Sequence, residues 1–412
     1  MIRAVIINLA WYAVIVLTAA MERALPVLRD YLDQIGFVQL YKFGATAGGY
    51  HTNPNVLGRR STDLVAGLAS CAGGDGSGLA LATCLMVKAA VPHRVLTPFE
   101  HRVAERLVDA ELLGASGGNL EMGAYQLISA QDLPLLIDSR INYPVALGAQ
   151  SYRVYLGSDS LRLAFYVDTR GISLADRVLD LGTGSGLIGL GLAGSSEHVT
   201  LTDVSPEALE LAHINRLLTR MTGRVTIRAE RCEETLDRGE RYRVVTFNPP
   251  FLPLPDGLHA PVYAAGLGPD GLGYCRLLLE NLDRILLPDG TAYFVANLLG
   301  TEGGPRFADE LRRRADESDL RIDVFIDSAS RLSSGAPVFE SLGAFLHAEN
   351  PAISGRECQR RVEELQLQTL GATHSYFSVV VIRRARDTRP SMRVYSRDRG
   401  SPAAGLVAGS GS

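Results

Sequence analysis

Three groups of residues in this 412-residue chain have the types and spacing of a reaction centre. Asn248-Pro-Pro-Phe251 follows the apolar run Val244-Val-Thr-Phe247. Two prolines after an asparagine restrict the backbone and end the strand. The Asn248 side-chain oxygen and the Pro249 carbonyl can then accept both hydrogens of a planar NH2 group, with Phe251 stacked on its plane. An amide or aromatic amine is a poor nucleophile because its lone pair is delocalised. Two acceptors pulling on its hydrogens localise that pair toward an electrophile, and positioning supplies the rest without a strong general base. The second group is Asp180-Leu-Gly-Thr-Gly-Ser-Gly186, a glycine-dense turn in which the chain can approach a ligand closely. The third is Asp203, at the end of Val199-Thr-Leu-Thr, placed to accept hydrogen bonds from both hydroxyls of a ribose.

The elements that must hold these residues alternate from Asp176 onward. The pattern predicts strands at 177–181, 199–202, 224–228, 243–247, 291–296 and 376–383. Helices are expected at about 186–194, 206–219 and 272–287, with Ser205 and Pro206 as a strong helix start. Strand–helix alternation makes an α/β, doubly wound, mainly parallel sheet, here expected with seven strands and Rossmann-like. Gly157-Ser-Asp-Ser160 is expected to face the glycine loop, and Val262–Leu272 either shapes the acceptor pocket or starts a helix. His259 and Tyr263 lie close enough in sequence to touch a substrate.

Together, D-L-G-T-G-S-G, the acid at Asp203 and N-P-P-F resemble class I S-adenosylmethionine-dependent methyltransferases. They are most similar to the small-domain group of release-factor glutamine, ribosomal RNA guanine-N2 and adenine-N6 enzymes. The resemblance covers about residues 150–300 well and the final strand more loosely. It implies that Asp180, Gly182, Thr183, Gly184 and Gly186 line the methionine and ribose end of S-adenosylmethionine. Asp203 would hold the ribose and Val204 would flank the adenine, while Asn248, Pro249, Pro250 and Phe251 would face the acceptor, Asn248 also bordering the cofactor. An acid after the third strand would grip the adenine amino group. The matching position here is Arg231, which leaves Glu230 or a backbone group near Cys232 for that role. The implied reaction is methyl transfer to a planar amino or amide nitrogen of a protein glutamine, a nucleobase or a small metabolite. Cyclisation of the cofactor's own aminobutyryl part, or regulatory binding without catalysis, stays open.

The remainder sets bounds. With 46% apolar residues the chain can form two cores. The expected domains are a helical, winged-helix-like module over 1–150, a cofactor-binding domain over 151–385 and a flexible tail over 386–412. In the first, Met21–Ile35 reads as an amphipathic helix, Gly36–Gly78 as largely irregular connection and Leu79–Ala90 as a buried helix. Thr97-Pro-Phe-Glu100 starts another helix, and Asn119–Ile128 reads as a hairpin wing. A net charge of −4 and no Lys/Arg ladder on the Thr97 helix disfavour nucleic acid, though the arginine-rich tail keeps it open. The five scattered cysteines form no metal-ligand pattern and read as reduced, which points to the cytoplasm. Ala4–Ala20 is apolar but short for a membrane span. It reads as a buried or homodimer-forming element, a membrane anchor (the minor reading), or an extension ahead of a start at Met21.

Overall fold

In the computed structural model the described residues are 18–47, 78–86, 90–138, 154–384 and 390–396. Most of Ala4–Ala20 and the turn-like stretches 48–55 and 71–77 lie outside them. Among the described residues no helix is long and apolar enough to cross a membrane. The first described helix is Ala19–Gln34 rather than Met21–Ile35, because the Thr18 hydroxyl accepts the Met21 N–H at 3.2 Å and starts it earlier. The next stretch, expected as irregular, begins with a second helix, Phe37–Ala47, whose Phe37 and Tyr41 rings are buried. Ala80–Met86 and Pro98–Asp109 follow as helices. The second opens with the anticipated capping box: Thr97 Oγ1 accepts the Glu100 N–H at 3.2 Å and Glu100 Oε2 accepts the Thr97 N–H at 2.9 Å.

The wing differs from the expected one. Leu113–Ser116 pairs with Asn119–Met122 around Gly117-Gly118, and Val91–Pro92 adds a third strand. A separate hairpin joins Tyr125–Ala130 to Leu133–Asp138. Its turn residues Gln131 and Asp132 both sit at positive φ, 53° and 61°, the geometry of a two-residue hairpin turn. Neither is the glycine that usually advertises such a turn, so the sequence pattern ran through it.

From Arg177 the elements are β1 (Arg177–Leu181), α1 (Leu187–Leu192), β2 (His198–Asp203), α2 (Pro206–Leu218), β3 (Val225–Ala229), α3 (Cys232–Asp237) and β4 (Tyr242–Phe247). Then come α4 (Gly273–Ile285), β5 (Leu286–Thr301), β6 (Gly304–Pro305), α5 (Phe307–Glu317) and β7 (Leu320–Arg331). The chain continues with α6 (Pro337–Glu349), α7 (Gly355–Glu363), β8 (His374–Arg384) and β9 (Ser391–Ser396). The six strands predicted from Arg177 onward are present and the fold is α/β with a mostly parallel sheet, but the described residues from Arg177 form nine strands rather than the seven expected. Strand β7 and the helices around it went unread. Within the stretch expected as a flexible tail, β9 pairs in parallel with β7, and Tyr395 stacks on Phe325 at 4.9 Å.

The chain forms two compact units. One gathers the N-terminal helices and hairpins with Gly182–Arg231. In it β2 and β3 pair in parallel from Val199↔Val225 to Asp203↔Ala229, and both strands end together. The other contains Phe165–Leu181 and the chain from Cys232 onward. Its strands run in the order β9-β7-β8-β5-β4-β1, with β6 folded onto β5. β1 and β4 are parallel neighbours, with Asp180 opposite Thr246 and Leu181 opposite Phe247. The core behind them is formed by Leu179, Phe247, Leu278, Leu282, Phe294 and their neighbours. The near-continuous apolar runs of these strands fit a sheet covered on both faces.

Candidate functional site

In the first unit the glycine loop is held by its backbone. Gly182, Gly184 and Gly186 have φ of +58°, +56° and +83°, and Thr183 donates its N–H to the Thr202 carbonyl at 2.9 Å. Gly186 is the position where a side chain is excluded twice. Its φ is left-handed, and a Cβ there would stand 2.9 Å from Leu190 Cδ1. Gly157–Ser160, the turn expected to face the glycine loop, opens the helix Ser158–Tyr166. The group that approaches Gly184 is the Tyr155 carbonyl, 3.6 Å from where its Cβ would be.

Asp203 is tied to this loop. Its Oδ2 accepts the Gly184 N–H at 2.9 Å, and its Oδ1 accepts Val204 and Ser205 N–H at 2.8 and 2.9 Å. Burial pushes this carboxyl above its ordinary pKa, and the three N–H donors pull against it. Two carboxylate oxygens offer about four acceptor sites, so Oδ2 retains one. The Glu230 N–H bonds the Asp203 carbonyl at 3.1 Å, which carries β3's end to the same place. Glu230 is half-buried and Arg231 exposed.

One residue of this unit was missed by sequence reasoning. Asn215, fully buried on α2, donates to the Ser185 carbonyl of the glycine loop at 2.8 Å. The same amide donates to the Leu136 carbonyl at 2.9 Å and accepts the Leu136 N–H at 2.7 Å. A single side chain therefore fastens the loop and the second hairpin to α2. The available signal was a polar residue on the apolar face of Leu211-Ala-His-Ile-Asn-Arg-Leu-Leu218.

In the second unit Asp180 is buried, and its Oδ1 accepts the Thr246 hydroxyl at 2.6 Å. The pairing of β1 with β4 places Asp180 and Asn248-Pro249-Pro250-Phe251 at the carboxyl ends of adjacent parallel strands, where open α/β sheets bind ligands. Pro249 is buried, and Phe251 packs partly against the core. Behind the motif runs the segment that the sequence read as loop or helix start. The Leu252 N–H bonds the Ala264 carbonyl, and the Gly266 N–H bonds the Leu252 carbonyl, each at 2.9 Å. At Gly271, φ is +77° and a Cβ would lie 2.4 Å from the Phe251 oxygen, so only glycine lets this turn lie against the motif.

Arg276 of α4 locks the turn. It donates to both oxygens of Asp270 at 2.9 and 2.7 Å and, through Nε, to Glu310 at 3.0 Å, while its guanidinium stands over the Phe307 ring. Partial burial pushes the Asp270 carboxyl up. The Arg276 hydrogen bonds outweigh it and leave the pKa below the ordinary range. The Gly268–Gly271 turn thus both supports the motif and leads into α4.

The glycine turn and N-P-P-F lie in a stretch that is similar to class I S-adenosylmethionine-dependent methyltransferase domains of the small-domain group. Residues 157–255 match the family model described as methyltransferase small domain. The chain is 33% identical over 159 residues to the release factor glutamine methyltransferase of Deinococcus radiodurans, covering 36% of this chain and 54% of that one. It is 31% identical over 147 residues to the enzyme of the same name from Clostridium acetobutylicum, covering 31% and 52%. The chain thus spans about half the length of these curated relatives. Among solved structures, wild-type Trm5b from Pyrococcus abyssi aligns with 71% of each chain at 13% identity and a TM-score of 0.37. The three loop glycines at positive φ and the residual acceptor site on Asp203 fit S-adenosylmethionine, the cofactor of this group.

Proposed function

We propose that this protein transfers the methyl group of S-adenosylmethionine to a planar amide nitrogen, with a protein glutamine side chain as the acceptor class. The supporting observation is Asn248-Pro249-Pro250-Phe251 at the end of β4, beside Asp180 at the end of β1. The names of the relatives favour glutamine among the planar nitrogens. When bound, S-adenosylmethionine supplies an electrophilic methyl on a positively charged sulfur.

Asp180 and the backbone of Gly182, Thr183, Gly184 and Gly186 line the methionine and ribose end of the cofactor. Asp203 takes a ribose hydroxyl on Oδ2, its other sites being used by the loop, and Val204 and Glu230 border the adenine. Asn248 Oδ1 and the Pro249 carbonyl accept the two amide hydrogens, Pro250 fixes the turn, and Phe251 offers its face to the amide plane. The nitrogen lone pair is thereby turned toward the electrophile, and a nitrogen proton is lost to solvent after transfer. Residues 1–150 help select the acceptor.

The test incubates the full chain with labelled S-adenosylmethionine and synthetic peptides that each carry one glutamine. Label on peptide and release of S-adenosylhomocysteine support the proposal, with Asn248→Ala slowing turnover roughly a hundredfold, the scale for losing one key electrostatic contact. Methylthioadenosine as product, or full activity of Asn248→Ala, would sink it.

A further inference from the structure

Immediately beyond Asn248–Phe251, the acceptor seat of the proposed function, the chain is set by its neighbours. Leu252–Ala260 is gripped from two sides. On one side are its hydrogen bonds to Ala264 and Gly266. On the other is the helical pair α6–α7, inserted between β7 and β8. Phe339, Leu346, Cys358 and Val362 of the pair form a buried cluster with Leu258, and Leu252 and Leu254 pack against it. The pair is itself tight. A Cβ at Gly343 of α6 would come within 2.7 Å of Gln359 Cβ on α7.

The contact is specific at one residue. Asn350, which caps α6 and is 7% exposed, accepts the His259 N–H on Oδ1 at 3.0 Å and donates Nδ2 to the His259 carbonyl at 2.8 Å. It also donates to the Leu346 carbonyl at 2.7 Å, so the amide is satisfied by its own helix and by the arm together. Pairing both backbone groups of one residue works like one rung of a strand ladder, fixing register as well as distance. The His259 side chain remains exposed on this pinned backbone.

We infer that the α6–α7 insertion is the acceptor-positioning element of this enzyme, and that Asn350 is the positioning residue holding the Leu252–Ala260 arm as a wall of the glutamine-peptide site. The inference rests on the function proposed above. Apolar packing alone would let the arm slide along the insertion, whereas the paired amide lets it dock in one register only.

The experiment compares the full-length wild type with Asn350→Ala, and with Asn350→Ser should the alanine variant not fold. Backbone amide exchange is followed over 252–260, with S-adenosylmethionine affinity and KM and kcat on a panel of single-glutamine peptides. Expected are about tenfold faster exchange over 252–260, the scale for losing one or two hydrogen bonds, and cofactor affinity within twofold. Peptide KM should rise about tenfold, with the panel's rank order flattened and kcat on the best peptide nearly kept. Unchanged exchange, or faster exchange with unchanged peptide KM and rank order, overturns the inference. Absence of transfer by the wild type to every peptide is a separate result, which removes the proposed function and this inference with it.

Discussion

The Asp203 carboxylate accepts the Gly184 backbone N–H at 2.9 Å, so an acid at the end of β2 fixes the shape of the loop that ends β1's turn. With Val204 and Ser205 N–H on its other oxygen, Asp203 braces the loop, and under the proposed function it also meets the ribose. Replacing it should therefore disturb the cofactor site twice, through the lost ribose partner and through a loosened glycine turn.

Asp203→Ala is expected to weaken S-adenosylmethionine binding about 10- to 100-fold, or ~1.4–2.8 kcal/mol, for lost charge-assisted hydrogen bonds. Titration calorimetry measures it. Turnover at saturating cofactor should fall much less, because no acceptor contact is touched. Unchanged affinity would remove Asp203 from the cofactor site.

Asn215→Ala removes an amide that satisfies the Ser185 carbonyl and both backbone groups of Leu136. Leaving such buried groups unpaired costs about 1–3 kcal/mol each where water cannot reach them. Denaturant unfolding should show a loss of at least ~2 kcal/mol, together with weaker cofactor binding. Asn215→Asp should be no better, since a carboxylate cannot donate to the two carbonyls. A variant as stable as the parent would mean the amide is dispensable.

Gly271 and Gly268 form a matched pair. Both have left-handed φ, +77° and +82°, but a Cβ at Gly271 meets the Phe251 oxygen at 2.4 Å, whereas one at Gly268 has nothing nearer than 4.0 Å. Gly268→Ala should cost only the backbone strain, about 1 kcal/mol, with kinetics nearly intact. Gly271→Ala must also displace the motif, so kcat on a glutamine peptide should fall well over tenfold while cofactor affinity holds. Equal effects of the two would show that Gly271 does not support the motif.

The Asp270–Arg276 pair gives a pH dependence with a defined sign. Because the folded-state pKa of Asp270 is lowered, its contribution is present above the ordinary carboxylate pKa and is lost as pH falls through the depressed folded value. The pair is partly exposed and so screened. Asp270→Asn should cost about 1 kcal/mol at pH 7, and that deficit should shrink toward zero as the wild type is acidified below the ordinary carboxylate range. Urea unfolding at a series of pH values reads it, and a deficit growing toward acid would contradict the pairing.

By itself the sequence determined the βα alternation, the glycine turn, the acid ending β2 and the N-P-P-F terminus of β4. These are local matters, in which strand periodicity, helix caps and proline act within a few residues of one another. Thr97 and Ser205 marked helix starts for the same reason. Only the tertiary structure decided what holds those pieces. Asn215 meets Leu136 across 79 positions and Asn350 meets His259 across 91, and an asparagine carries no mark of its distant partner. The role of Gly271 likewise rests on a carbonyl twenty residues earlier folding back onto it. The Gln131-Asp132 turn and strand β9 became visible only when cross-strand pairing fixed residues whose own preferences are weak. Local preference places the candidate site residues at strand ends, and buried polar pairing between distant segments sets their positions.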